Sequence, residues 1–123
     1  MSKIRAAITA VGHYVPETIL TNSDMEKIVE TNDEWIQTRT GIKERRILTN
    51  GEPTSFMAVE AINMLLKRRG ISASELDLIL VGTVTPDMLF PSTACIIQEK
   101  IGATKAWGFD VLAACSGFIF TMV

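Results

Sequence analysis

The sequence lacks several features that define common functional classes. It has one histidine, two cysteines without a C-x-x-C spacing, and neither of the glycine-rich patterns G-x-G-x-x-G and G-x-x-x-x-G-K. A zinc site, a dinucleotide-binding motif and a P-loop are therefore unsupported. No apolar run approaches the roughly 20 residues of a membrane span, and the run at positions 6–11 is too short for a signal peptide. These absences predict a cytoplasmic protein with free thiols and no membrane partner.

The composition is that of a globular chain. The 123 residues include 47% hydrophobic and 21% charged residues, and the net charge of −2 gives no overall attraction to nucleic acid. Two local basic runs, at 43–46 and 67–69, are either solvated surface or anion sites. The last residues, 118–123, are apolar and carry no cap or polar tail. We expect residues 1–123 to be an incomplete part of a longer protein, because a helix ending this way exposes its core face.

Hydrophobic periodicity and turn residues divide the chain into alternating strands and helices. One helix lies between an Asn32 cap and a Gly41 stop, and another runs from Thr54 to Gly70. Because strands alternate with helices, we expect an α/β fold with parallel pairing and helices covering the sheet. The apolar run 78–82 is expected to be buried on both faces. Strands are predicted at 4–11, 42–48, 78–82 and 106–112, with further helices at 22–30 (capped by Asn22 or Ser23), at 91–102 and from 114 onward.

Cys115 is the first candidate for chemistry. It follows a predicted strand and small residues, and it falls at the start of the next predicted helix. Unpaired amides and the helix dipole there favour a thiolate and can hold an oxyanion formed from a thioester. The alternative is a buried, inert cysteine, which position alone makes the commoner case. Cys95 is predicted to lie mid-helix and to serve packing only.

Thr31, Trp35 and Arg39 form the second candidate group, because they are spaced four residues apart. On one helical face, an indole and a guanidinium make a slot for a flat ring such as adenine. The following Lys43, Arg45 and Arg46 could then meet phosphates. The alternative is that Trp35 fills the core while Arg39 reaches solvent.

Two further residues carry weaker signals. His13 is the only histidine and could act as a general base. The alternative, which is the commoner case for a lone histidine outside a motif, is a turn residue at the end of a strand. Phe90 lies in a predicted loop between Leu89 and Pro91, where an aromatic side chain is expected either to be buried or to contact a partner.

Three ordered motifs resemble one enzyme family. Residues 33–45 resemble the D-E-W-I-x-x-R-T-G-I-x-x-R signature of β-ketoacyl-acyl carrier protein synthase III. Residues 90–95 resemble its F-P-S-x-A-C segment, and residues 110–118 resemble its nucleophile segment, D-x-x-A-A-C-x-G-F. The three motifs span most of the chain and favour functional roles for Cys115, Trp35 and Arg39.

The resemblance implies a thiolase-like fold of two βαβαβαββ halves in five layers, with residues 1–123 forming most of the first half. It implies that Cys115 takes an acyl group, typically acetyl, from coenzyme A and passes it to malonyl-acyl carrier protein. Coenzyme A is then a substrate, and no resident cofactor or metal is expected. The positions matching the family's coenzyme A contacts are Trp35 and Arg39, which sandwich the adenine, and the neighbouring Thr31. Phe90 matches the residue that crosses a homodimer interface and limits the partner's acyl pocket.

The family also uses a histidine and an asparagine for decarboxylation, and neither is matched here, since His13 falls in no motif position. We therefore expect residues 1–123 alone to be inactive in condensation. Alternatives on the same fold are a polyketide starter synthase, a long-chain head-to-head condensing enzyme and a hydroxymethylglutaryl-coenzyme A synthase. A non-catalytic scaffold fragment is the remaining alternative.

Overall fold

A computed structural model describes residues 6–123 and divides them into two compact units. The larger unit comprises residues 6–14 together with Pro53–Val123, and the smaller unit is Val15–Glu52. Within the described residues, no helix is long and apolar enough to cross a membrane.

The larger unit is an α/β arrangement built around one parallel strand pair. Its elements are α3 (Thr54–Arg69), β3 (Leu78–Gly82), α4 (Thr93–Ile101), β4 (Trp107–Val111) and α5 (Gly117–Phe120), with 3₁₀ turns at Ala73–Glu75 and Ala114–Ser116. Strands β3 and β4 pair in parallel, in a register that sets Leu78 opposite Trp107 and Gly82 opposite Val111. Helix α4 crosses from β3 to β4, as parallel pairing requires. The α/β prediction and its parallel pairing are confirmed.

The core of the larger unit lies where α4 packs on this strand pair. Ile97 and Ala94 of α4 are fully buried, and Ile79 of β3 packs with them beside Ala103 and Ala106. Small residues let the helix approach closely: a Cβ on Gly108 would lie 3.1 Å from that of Ala94 and would collide with the Ile79 carbonyl oxygen. Apolar burial at this contact is the main stabilising term of the unit.

Partly buried hydrogen bonds fix the starts of α3 and α4. The Asp110 carboxylate on β4 accepts the amides of Thr93 and Ala94, at 2.7 and 2.8 Å, and so caps α4. The Asp87 carboxylate accepts the Ser55 amide at the start of α3, and the Asp87 amide donates to the Thr93 hydroxyl. These bonds satisfy helix-end amides that would otherwise be buried without partners.

The smaller unit joins an antiparallel strand pair to two short helices, which lie between the two strands in the chain. Its elements are β1 (Thr18–Thr21), α1 (Asn22–Glu26), α2 (Asp33–Thr40) and β2 (Glu44–Ile47), with β1 and β2 antiparallel. Asn32 caps α2 by accepting the Trp35 amide at 2.8 Å, and Gly41 ends it at φ 71°, as predicted. At α1, hydrogen bonds from the Thr21 hydroxyl and the Lys27 ammonium hold the pKa of Asp24 well below its usual range.

The boundaries of α3, α4 and the strands β2, β3 and β4 agree with the sequence predictions to within two residues. Two predictions are wrong, and one strand was missed. For the strand at 4–11, positions 4 and 5 lie outside the described residues, and residues 6–11 form no strand. The short helix is capped by Thr21, because Thr21 and Asp24 form a reciprocal capping box, and it ends at Glu26 rather than at position 30. Strand β1 was not predicted.

The expectation that residues 78–82 are buried on both faces is also wrong in this structure. Ile79 is buried, but Leu78 is 41% exposed. The helix α4 packs against one side of the strand pair, so alternate side chains of β3 meet different environments.

Ile97 gives a stability test of this core. Ile97→Ala should lower the free energy of unfolding by about 2–5 kcal/mol, because it leaves a cavity in a closely packed site. Ile28→Ala, at a side chain that is 66% exposed, should change it by less than about 0.5 kcal/mol. Chemical denaturation of both variants measures the difference, and equal losses would contradict this placement of the core.

Candidate active site

Cys115 lies on a tight turn just after β4. The turn begins beyond Val111 and includes Ala114 at φ 45°, a left-handed conformation that is uncommon for residues other than glycine. The 3₁₀ turn Ala114–Ser116 then leads directly into α5. Strained backbone of this kind is often found at functional sites, where the surrounding structure holds it in place.

A contact between two glycines holds this turn against the end of β3. A Cβ on Gly82 would lie 3.2 Å from the carbonyl carbon of Gly117, and one on Gly117 would lie 3.5 Å from the Gly82 Cα. The Thr83 amide also donates to the Val111 carbonyl at 3.2 Å. A side chain at Gly82 would therefore be crowded by the Gly117 backbone, whereas a Cβ at Gly117 would make an ordinary van der Waals contact. Cys115 is thereby fixed near the carboxyl ends of both parallel strands, where α/β proteins usually bind their ligands.

The Cys115 side chain is exposed, so the alternative of a buried, inert cysteine is wrong in this structure. The predicted helix start needs correction. Cys115 belongs to the 3₁₀ turn, and α5 spans only four residues, so its dipole is small. The amides of Ser116 and Gly117 donate within the turn to the carbonyls of Ala113 and Ala114. The Cys115 amide takes part in neither of these two bonds.

Cys95 differs from its predicted environment. It lies in the first turn of α4 rather than mid-helix, and its side chain is exposed rather than packed. The Ser92 hydroxyl, which caps α4, donates to the Cys95 sulfur at 3.2 Å. The prediction failed because Thr93, Ala94 and Ile97 form the buried face of this helix, which turns Cys95 outward.

Trp35 and Arg39 come together on α2, one turn apart. The Arg39 guanidinium carbon lies 5.9 Å from the centre of the Trp35 ring, at the limit of a cation–π contact. Trp35 is 56% exposed, which contradicts the alternative that it fills the core. The buried residue of this helix is Ile36 instead.

Thr31 does not share a helical face with Trp35 and Arg39, because α2 begins at Asp33. It lies just before the Asn32 cap. Its hydroxyl oxygen is buried and makes no hydrogen bond. Thr31 and Trp35 nevertheless line one open hollow of about 260 Å³, and Trp35 and Arg39 line a second of about 340 Å³.

Two of the basic residues that follow α2 form hydrogen bonds or ion pairs within the smaller unit. Arg45 donates to the Asn22 side chain at 2.6 Å, and Arg46 donates to the Glu17 carbonyl and meets the Glu44 carboxylate. These contacts contradict the expectation that Arg45 faces a phosphate. Lys43 is exposed and stays a candidate.

Phe90 protrudes from the segment between β3 and α4. It is 89% exposed, and Leu89 beside it is fully exposed. Of the two alternatives for this aromatic, burial within the chain is excluded by the structure. His13 is exposed and lies in irregular structure.

Sequence reasoning missed two residues that organise these sites. Asp110 caps α4, and Asn22, only 2% exposed, joins α1, α2 and β2. An aspartate inside a strand was a usable signal, because an acidic side chain there is rarely left unpaired. Within the described residues, no group of three or more His, Cys, Asp or Glu side chains is placed to hold a metal ion.

Known proteins with similar sequences are β-ketoacyl-[acyl-carrier-protein] synthases. The chain is 59% identical over 118 residues to the β-ketoacyl-[acyl-carrier-protein] synthase III of Chlorobaculum tepidum, covering 95% of this chain and 36% of that protein. It is 55% identical over 120 residues to β-ketoacyl-[acyl-carrier-protein] synthase III 1 of Bacillus cereus, covering 98% and 39%. The chain thus spans little more than a third of the length of these relatives. No protein-family model matches it.

Solved structures agree with these relatives. The 3-oxoacyl-[acyl-carrier-protein] synthase III of Aquifex aeolicus superposes with a TM-score of 0.86 at 50% identity, over 92% of this chain and 36% of that one. The priming β-ketosynthase of the R1128 polyketide pathway superposes with the same TM-score at 36% identity, over 92% and 34%.

The chain therefore forms the first part of a thiolase-like fold, and the superposition covers nearly the whole chain. Within this class, the chain belongs to the β-ketoacyl-acyl carrier protein synthase III family and corresponds to its N-terminal portion.

The left-handed residue before Cys115 gives a local stability test. Ala114→Val should lower the free energy of unfolding by about 1–2 kcal/mol, because a β-branched residue disfavours positive φ. Ala113→Val is the matched control, since Ala113 has φ −128° and escapes this strain. Thermal or chemical denaturation measures both, and a larger loss for Ala113→Val would contradict the geometry of the turn.

Proposed function

We propose that the protein carrying this chain is a β-ketoacyl-acyl carrier protein synthase III and that Cys115 is its acyl-accepting nucleophile. The observation that carries the proposal is the exposed Cys115 thiol, held on a fixed turn at the carboxyl ends of β3 and β4. The similarity to synthases of this type over nearly the whole chain supports the same reaction.

The first step is acyl transfer. The Cys115 thiolate attacks the carbonyl carbon of acetyl-coenzyme A, a sulfur–carbon bond forms, and the carbonyl electron pair moves to oxygen. The Cys115 amide is the donor we assign to that oxyanion. When the intermediate collapses, the bond from the carbonyl carbon to the coenzyme A sulfur breaks. Coenzyme A leaves as a thiolate and takes up a proton.

The second step is condensation with malonyl-acyl carrier protein. Loss of carbon dioxide leaves a carbanion on the malonyl unit, which attacks the carbonyl carbon of the acyl-enzyme. The new carbon–carbon bond replaces the bond to Cys115, which leaves as a thiolate. The product is a 3-oxoacyl carrier protein, the first intermediate of fatty acid synthesis.

We assign the nucleotide end of coenzyme A to α2. The exposed Trp35 ring and the Arg39 guanidinium offer two flat surfaces for adenine, and both line an open hollow. Thr31 lines the neighbouring hollow, with its hydroxyl oxygen buried, and we assign it to the same nucleotide site. Coenzyme A is a substrate in this proposal, so no resident cofactor is required.

Residues 1–123 alone are proposed to bind and accept an acyl group at most, not to complete condensation. His13 is the only histidine in the sequence and is exposed in irregular structure. It matches neither family position used for decarboxylation. We assign residues 1–123 to the first thiolase-like half, with the histidine and asparagine supplied by a second half.

The proposed working form is a cytoplasmic homodimer. Phe90 and Leu89 project from the larger unit with almost all of their surface exposed. Two adjacent apolar side chains that are exposed to this degree are suited to burial by a partner subunit. A bulky aromatic at position 90, reaching the partner's acyl pocket, would favour short primers.

A polyketide starter synthase is the second candidate, because the R1128 priming β-ketosynthase has the same fold at 36% identity. Competition between acetyl, branched and long-chain acyl thioesters for Cys115 distinguishes the two. Preference for acetyl-coenzyme A supports the fatty acid reaction, and preference for longer primers supports the alternative.

The two cysteines give the test of the nucleophile. Wild-type protein incubated with radiolabelled acetyl-coenzyme A should retain about one acetyl group per active site. Cys115→Ser should lose the label, because a serine hydroxyl is not ionised at neutral pH. Cys95→Ser is the matched control and should keep it, although Cys95 is also exposed. Equal labelling of the two variants would contradict the proposal.

A further inference from the structure

We propose that Asn22 is a positioning residue for coenzyme A, because its side chain fixes the helix that carries Trp35 and Arg39. The inference rests on the proposed function, which assigns the nucleotide to that helix. Asn22 itself is buried and does not face the hollows that Trp35 lines.

Every hydrogen-bonding group of the Asn22 side chain is used. Its amide nitrogen donates to the Asp33 carboxylate at 2.7 Å and to the Ile42 carbonyl at 2.8 Å. Its oxygen accepts from the Arg45 guanidinium at 2.6 Å. Two of the three partners are charged side chains, and bonds of this kind are the stronger class.

The partners of the Asn22 amide lie at the two ends of α2. Asp33 is the first residue of the helix, and Ile42 follows Gly41, the residue that ends it. The third partner, Arg45, belongs to β2. One buried side chain therefore ties the start and the exit of α2 to the neighbouring strand.

Other contacts of α2 include the burial of Ile36 and a hydrogen bond from the Asp33 amide to the Glu26 carboxylate at 2.8 Å, whereas Trp35 is 56% exposed. The Glu26 bond fixes only the start of the helix. The bond from Asn22 to the Ile42 carbonyl adds a fixed point at its exit, which limits rotation of the helix about its axis. Loss of that point should let Trp35 and Arg39 leave the orientation in which they can sandwich a ring.

The test compares two substrates that differ in the nucleotide. In the full-length protein that carries this chain, Asn22→Leu should raise KM for acetyl-coenzyme A about tenfold and leave kcat within about twofold. For acetyl-pantetheine, which lacks the nucleotide, KM should stay within about twofold of wild type. A residue that serves stability alone would leave both KM values unchanged or raise them equally, and either result overturns the inference.

Two further variants separate the failure of this inference from failure of the proposed function. Trp35→Ala should also raise KM for acetyl-coenzyme A but not for acetyl-pantetheine. If it does so while Asn22→Leu does not, the role of Asn22 is wrong and the nucleotide site stands. If Trp35→Ala leaves KM unchanged, the nucleotide site itself is wrong.

Controls address folding. Asn63→Leu changes an exposed asparagine on α3 in the larger unit and should leave both KM values unchanged.

If Asn22→Leu does not fold, Asn22→Ser replaces it, because serine keeps a small polar group but loses the second amide donor. The same criterion then applies: a selective rise in KM for acetyl-coenzyme A supports the inference, and an equal rise or none overturns it.

Discussion

The close approach of Gly82 and Gly117 is the constraint on which the site around Cys115 depends. Two backbones that touch without side chains between them leave little freedom for the turn that joins β4 to α5. The left-handed Ala114 can persist there because its surroundings fix it. A cysteine on an unrestrained loop would be equally exposed but would not hold a constant position relative to the strand ends. Rigid placement is what a nucleophile needs to attack a bound thioester repeatedly.

Hydrogen-bonded polar side chains play the same part elsewhere in the molecule. The partly buried Asp110 ties the start of α4 to β4, and the buried Asn22 ties both ends of α2 to β2. In the smaller unit, the helix fixed in this way presents the exposed Trp35. The apolar core supplies most of the stability, whereas these polar bonds determine orientation.

Local signals in the sequence were sufficient for most element boundaries. Gly41, Gly70 and Gly102 all adopt positive φ at helix ends, which is why their positions predicted the ends of α2, α3 and α4. Asn32 capped α2 for an equally local reason. The candidate residues Trp35 and Arg39 were also accessible to local reasoning, because one helical turn brings them together.

Features set by tertiary contacts could not be predicted in this way. Strand β1 exists through pairing with β2 rather than through its own composition, and the paired residues lie far apart in the chain, as Thr21 and Glu44 do. Cys95 faces outward because three neighbours form the buried side of α4. The 3₁₀ turn at Cys115 follows from the contact of Gly117 with Gly82, 35 residues earlier in the chain. The role of Asn22 required the positions of three distant partners.

The central claim is that an exposed, rigidly held Cys115 becomes acylated. A crystal structure of the protein after exposure to acetyl-coenzyme A tests it most directly. The account predicts an acetyl group joined covalently to the Cys115 sulfur, with its carbonyl oxygen within hydrogen-bond distance of the Cys115 amide. An acetyl group on Cys95 or another side chain, with the Cys115 sulfur unmodified, would contradict it.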